Sequence, residues 1–192
     1  MIKPILAYGD PVLRKKADEI LPEDKDELFF LIKDLWDTMY NAKGVGIAAP
    51  QIGISKSIFV IDFTFFKDED DFYERELIDS KQIFINPKII KESGKNFTYQ
   101  EGCLSIPNIS EKVVRKSVLK IKFFNENFIL KEMTCSGIIA RVIQHEYDHL
   151  QGILFTDKLS YKVRKSIKEE LNLITVGDVD VKYKMNFYKS KD

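Results

Sequence analysis

The chain has 192 residues, 44% hydrophobic and 31% charged, values of a folded soluble protein rather than a disordered or membrane-spanning one, and a chain of this length buries about 70% of its unfolded surface in one core. Its 30 basic and 30 acidic residues cancel, which leaves no overall field for nucleic acid or an anionic membrane and favours a small or neutral partner. Two cysteines, Cys103 and Cys135, are too few for a disulfide scaffold, and no leader-like segment opens the chain, so a cytoplasmic protein is the simplest expectation.

Asp10-Pro11-Val12-Leu13-Arg14 has a capping residue and then proline at a first helical position, which predicts a short helix through about Ala17. Leu28, Phe29, Ile32, Leu35, Trp36, Met39 and Tyr40 recur at helical spacing, with Glu23, Asp24 and Asp26 before them and Gly44 beyond, and predict the first long helix. Its aromatic stripe reads as core. Gly44-Val45-Gly46-Ile47-Ala48-Ala49-Pro50-Gln51 follows, small residues that let a backbone or ligand approach closely. It has none of the context of a phosphate loop, so it reads as a tight strand or loop bearing one polar side chain, Gln51.

Residues 57–62 read as a buried strand through Ile58, Phe59, Val60 and Ile61. From 63 to 80 the pattern breaks around Lys67, Asp68, Glu69, Asp70 and Asp71, a solvated surface excursion or hairpin extension. Strands are predicted over 81–86, 89–100, 113–124 and 128–134, the last two joined as a hairpin at Asn125-Glu126-Asn127. Ser136 is placed to cap a helix through Ile138, Ile139, Val142, Ile143, His145, His149 and Leu150, ended by Gly152. Its stripe Ile138, Val142, His145 and His149 is expected to lie buried against the sheet. A more exposed helix spans 160–171, and 172–192 alternates weakly, as an edge strand or a flexible tail.

The helix that Ser136 opens contains both histidines of the protein, in Gln144-His145-Glu146-Tyr147-Asp148-His149. Residues four apart stack on one helix face, so two imidazoles can meet one divalent metal ion. Glu146, about 100° round the helix, can stand beside a water at that ion as a general base without becoming a ligand. The expected class is therefore α+β, antiparallel β-sheets packed around a central metal-binding helix, with an N-terminal and a C-terminal helix. One catalytic metallohydrolase domain is expected over 1–172, with 173–192 an extension.

A catalytic site of this kind needs three protein ligands and an open position. No third histidine exists, and the acids after His149 sit in lysine-mixed surface segments. Cys135, just before the helix, reads as a small buried hydrophobe. Cys103 lies in Glu101-Gly102-Cys103-Leu104-Ser105, where glycine admits a close turn at a strand end, and is the preferred third ligand.

Three segments, GVGIAAPQ (44–51), EGCLS (101–105) and QHEYDH (144–149), together resemble the three motifs of bacterial peptide deformylases in order and spacing. The opening ILAYGDPVLR (5–14) is also similar, so the resemblance covers about 1–160. It implies removal of the formyl group from N-terminal formylmethionine of nascent polypeptides, giving formate and a free amine. It assigns oxyanion stabilisation to the Gln51 amide and the Leu104 N–H, and implies ferrous iron, where the donor set alone admits Fe(II), Zn(II), Ni(II) or Co(II). Proximity to the motifs suggests a substrate pocket from Val45, Gly46, Glu101, Gly102, Leu104, Arg141 and Val142, the peptide lying extended along Gly46.

Two rivals remain at this level. A His-Glu-x-x-His endopeptidase would want a third ligand downstream, and a structural metal module would want Cys135 to complete four ligands. Lys162, Arg164, Lys165 and Lys168 form a local basic face on the C-terminal helix, a solvated face first and a weak ribosome contact second. Neither a membrane nor sequence-specific nucleic acid is expected as a partner.

Overall fold

The computed structural model describes residues 1–66 and 80–188. Its main elements are β1 (Ile5–Leu6), α1 (Lys25–Asn41), β2 (Gly46–Ala48), β3 (Ile58–Asp62), β4 (Lys81–Cys103), β5 (Ile106–Phe124), β6 (Leu130–Ser136), α2 (Gly137–Leu150), α3 (Tyr161–Ser166), α4 (Lys168–Thr175) and β7 (Met185–Asn186). Strands β2 to β6 form an antiparallel sheet in sequence order, with β2 at one edge. Separately, β1 pairs parallel with β7. This is the α+β class that the patterns predict. Among the described residues no helix is long and apolar enough to cross a membrane.

The apolar run of β3 follows from its place between two helices, since a strand covered on both faces has no polar side to show. Ile58 and Val60 pack with Leu28, Leu35 and Met39 of α1. Phe59 and Ile61 point the other way and pack with Ile139, Ala140 and Ile143 of α2. Behind them Phe59 stacks on Phe84 at 4.6 Å and Phe84 meets Phe123 at 4.3 Å between ring centroids. Each such side chain stabilises the fold by about 1.5–3 kcal/mol on burial, so α2, and with it both histidines, is pinned to the sheet.

Several expectations shift. The predicted helix at 10–17 is only a 3-10 turn, Pro11–Arg14, with Asp10 Oδ1 accepting from Val12 N at 2.8 Å. The chain leaves it because Ala17 N donates instead to Leu150 O, 2.9 Å, at the end of α2. The left-handed residue after α1 is Lys43 (φ 56°), one before Gly44. Predicted strands 81–86 and 89–100 are one strand, β4, with register shifts on either side of Ile89. The gap left between them at 87–88 follows a kink: Asn86 has φ 47° and its side chain holds both Ile20 N and Ile20 O, at 2.9 and 2.7 Å. The strand read as beginning at 113 starts at Ile106.

Ser136 takes the N-cap position of α2 with extended backbone, but its side chain makes no capping hydrogen bond. The helix is also rotated from the expected register. Ile139 and Ile143 press on the sheet, whereas Ile138, Val142 and His145 are half-buried and line a cleft. Gly152 does end the helix, at φ 71°, where a Cβ would stand 2.6 Å from Arg14 O. The single C-terminal helix is broken into α3 and α4 at the buried Ile167. Phe63–Phe66 form a 3-10 turn, and the remainder of the excursion expected at 63–80, residues 67–79, lies outside the described residues.

Candidate metal centre

Two elements converge on one point. The end of β4 brings Cys103, and α2 brings His145 and His149 on successive turns, their ring centroids 5.0 Å apart. One ligand atom from each of the three lies within 4.8 Å of the others, and Cys103 Sγ is 3.3 Å from His149 Nε2. Among the described residues this is where cysteine and histidine side chains gather as a metal would require. Cys135 is elsewhere, opposite Leu119 in the sheet and packed in the phenylalanine cluster, and among the described residues it does not join the group as a fourth ligand.

The donor set fits a divalent ion. Both ring nitrogens of His145 have a direction: Nδ1 lies 3.1 Å from Glu101 Oε2, which leaves Nε2 for the centre, as carboxylate partners orient metal-binding histidines. Burial opposes charge on His145, yet Cys103 and Glu101 beside it carry its pKa up to about 10. Burial and the neighbouring His145 hold His149 well below the ordinary value. A cation binding here displaces protons from these groups, because imidazole ligates when neutral and cysteine as thiolate.

Beside the centre stands Glu146. It is 5% exposed, and Oε2 is buried with no protein hydrogen-bond partner among the described residues. Burial pushes its pKa up to about 7. Gly46 explains how the carboxylate fits: a Cβ there would lie 2.8 Å from Glu146 Oε1. Opposite, buried Gln51 accepts from Ala48 N through Oε1 at 2.8 Å, which turns its Nε2 toward Cys103 Sγ, 3.6 Å, and Ser105 Oγ, 3.4 Å. The amide thus faces the centre with its donor end.

Both oxygens of Glu101 are engaged. Arg115 donates from Nε to Oε1 at 2.7 Å and from Nη2 to Oε2 at 2.9 Å, and Arg141 Nη1 also reaches Oε1. Arg115 continues through Nη1 to Asp148 Oδ2, 2.7 Å, which Lys158 approaches at 3.1 Å. Burial by itself would raise the Glu101 carboxyl, but Arg115 and His145 overcome it and hold it well below the usual carboxylate range. Arg141 Nη1 further bonds the Val113 carbonyl at 3.1 Å, and its guanidinium lies 5.0 Å from the Phe97 ring. Arg115 and Asp148 carried no site signal in the sequence, because their partnership crosses β4, β5 and α2.

A cleft of 870 Å³ opens onto the centre, lined among others by Val45, Gly46, Gln51, Glu101, Gly102, Leu104, Arg141, Val142, His145 and Glu146. Every residue predicted for the pocket borders it. So do Ile138 and, from the C-terminal tail, Asp180 to Tyr183, none of which had been expected there. Tyr183 donates its hydroxyl to Leu104 O at 2.8 Å, and burial pushes its phenol up to about 12.

The sequence model of the polypeptide deformylase family matches residues 2–165. The chain belongs to that family. A peptide deformylase of Christiangramia forsetii is 50% identical over 194 aligned positions, covering all of this chain and 98% of the relative. That of Flavobacterium johnsoniae is 47% identical with the same coverage. Among solved structures, a peptide deformylase from Legionella pneumophila superposes with a TM-score of 0.78 at 37% identity, over 90% of this chain and 94% of that one. An inhibitor complex of the Plasmodium falciparum peptide deformylase gives 0.75 at 36% identity, over 88% and 97%. The deformylase family thus accounts for the three motifs, and the endopeptidase alternative is not favoured.

Proposed function

We propose that the chain hydrolyses the formyl group from the N-terminal formylmethionine of nascent polypeptides, with Cys103, His145 and His149 as ligands of one ferrous ion. Zn(II), Ni(II) and Co(II) suit the same donors. The observation that carries the reading is a buried carboxylate, Glu146, and a donor amide, Gln51, lining a single cleft together with Cys103 and His145 of the Cys103/His145/His149 group.

When bound, a divalent ion at this group polarises a carbonyl oxygen and brings the pKa of a water near neutrality. Glu146 takes a proton from the attacking water through its unpartnered Oε2. The water oxygen bonds to the formyl carbon, and the carbonyl oxygen gains charge. Gln51 Nε2 and Leu104 N–H donate to that oxyanion, each such donor being worth about 3 kcal/mol of barrier. Glu146 then returns the proton to the amide nitrogen as the C–N bond breaks, leaving formate and a free amine. Glu101 acts one step back, holding His145 by Nδ1.

The edge position of β2 supports an extended substrate: Gly46 and Val45 border the cleft, and among the described residues no strand pairs with β2 on that side, as strand addition of a peptide requires. Leu104, Val142 and the stem of Arg141 suit an unbranched apolar side chain such as methionine. Lys162, Arg164, Lys165 and Lys168 are exposed on α3 and α4, and we assign to them any weak contact with the ribosome, in a cytoplasmic setting. The deciding experiment is formate release from a formyl-Met peptide by anaerobically purified protein, with metal measured on the same sample. Metal-loaded protein that releases no formate overturns the reading.

A further inference from the structure

The turn that bears Cys103 and Leu104 is held by a stretch of chain beyond the family match, which ends at residue 165. Leu104 and Ser105 join β4 to β5, and pairing there jumps from Gly102 opposite Ser110 to Cys103 opposite Ile106. Pro107, Asn108 and Ile109 are looped out between, with Asn108 at φ 64°. A bulge re-aims the end of a hairpin and interrupts the ladder that would hold it. The position of the turn therefore depends on contacts from elsewhere.

The C-terminal tail supplies two of them. Asn108 Nδ2 donates to the Asp180 carbonyl at 3.1 Å, and the Tyr183 hydroxyl to the Leu104 carbonyl at 2.8 Å. The tail is itself anchored, since Ile5 N donates to Lys184 O and Ala7 N to Asn186 O, both at 2.9 Å, where β7 runs beside β1. Tyr8 N of the same N-terminal stretch donates to Ser105 O at 2.8 Å. The turn is thus gripped at the bulge, at Leu104 and at Ser105 by chain ends that meet only in the folded protein.

Resting on the deformylase reading, we infer that Asp180–Tyr183 is a strut for the active-site turn and that Tyr183 is a positioning residue for the Leu104 N–H. The carbonyl and N–H of Leu104 flank one Cα. Fixing the carbonyl limits rotation about that residue, and so limits the direction in which the N–H donates to the oxyanion.

Tyr183→Phe removes the hydroxyl and keeps the ring. In the full chain with metal bound, kcat for a formyl-Met tripeptide falls about fivefold, the order of one neutral hydrogen bond, while KM stays within about twofold and metal content is unchanged. Independently of activity, hydrogen exchange of the amides over 103–106 speeds up about fivefold, with the rest of the chain unaffected. Asn108→Gly keeps the left-handed backbone and cuts the second tie, and loosens the same amides. Unchanged exchange in both variants overturns the strut, whatever the activity. Loosened amides with parental kcat overturn the positioning role, as does a rise in KM with kcat intact. Exchange accelerated throughout the chain marks a general loss of stability and also counts against it. A metal-loaded parent that releases no formate fails the deformylase reading, and the exchange comparison still decides the strut.

Discussion

Glu146→Gln separates proton transfer from metal binding. The substitution keeps almost the same volume beside Gly46, where space is so short that a single Cβ would come within 2.8 Å of the carboxylate. It leaves Cys103, His145 and His149 in place, so metal content stays at the parental level. Stability changes little as well. Burial already pushes the Glu146 carboxyl up to about 7, so near neutral pH a neutral group at this position is no foreign burden. Turnover is another matter. One carboxylate serves both proton transfers, and a site 5% exposed offers bulk water little chance to substitute. General acid–base roles are worth about 10²–10⁴-fold, which places kcat at least about 10²-fold below the parent. The assay is formate release under anaerobic conditions with metal determined on each sample. A metal-loaded Glu146→Gln protein within about tenfold of the parent, or one that has lost its metal, refutes the assignment.

Cys103→Ala loses the metal, because two imidazoles are too few ligands, whereas Cys135→Ala keeps it; equal metal loss in the two proteins, measured by elemental analysis, contradicts the ligand set. Gly46→Ala forces the Glu146 carboxylate to move by about half an ångström, and a displacement of this order lowers kcat about tenfold or more with metal intact; unchanged turnover would mean the carboxylate is not fixed there. Asp62, 3% exposed, accepts from Thr64 N at 3.0 Å, Thr64 Oγ1 at 2.6 Å and Tyr40 OH at 2.6 Å. Burial opposes its ionisation, but these donors win and lower its pKa from the ordinary 3.8. Its stabilisation is therefore present above that value and is lost as pH falls through the folded-state pKa. Asp62→Asn costs about 1–3 kcal/mol at pH 7, a gap that narrows below about pH 4, and a gap constant with pH in denaturant titrations would count against the carboxylate's role. Phe84→Ala, which removes the ring between Phe59 and Phe123, costs about 3–5 kcal/mol and lowers Tm by on the order of 10 °C, measured by calorimetry.

The sequence by itself determines what short-range geometry controls. A helix places His145 and His149 on one face whatever surrounds it, and Glu146 beside them, because the backbone repeat does so. The unbroken apolar run of Ile58 to Ile61 already states that both faces of that strand are covered. Three spaced motifs were enough to name the family. Tertiary structure decides what depends on partners far apart in the chain. The rotation of α2 that leaves Ile138 and Val142 on the cleft follows from how Ile139 and Ile143 fill the space over Phe59 and Phe84. The ion network of Glu101, Arg115, Arg141 and Asp148 exists only because β4 and β5 pair in one register, and charged side chains can be buried there because each finds an opposite charge within hydrogen-bond distance. Tyr183, in a weakly patterned tail, reaches Leu104 because β7 lies along β1. Periodicity reports what a residue's neighbours in sequence require, and carries no record of a hydrogen bond between the two ends of the chain.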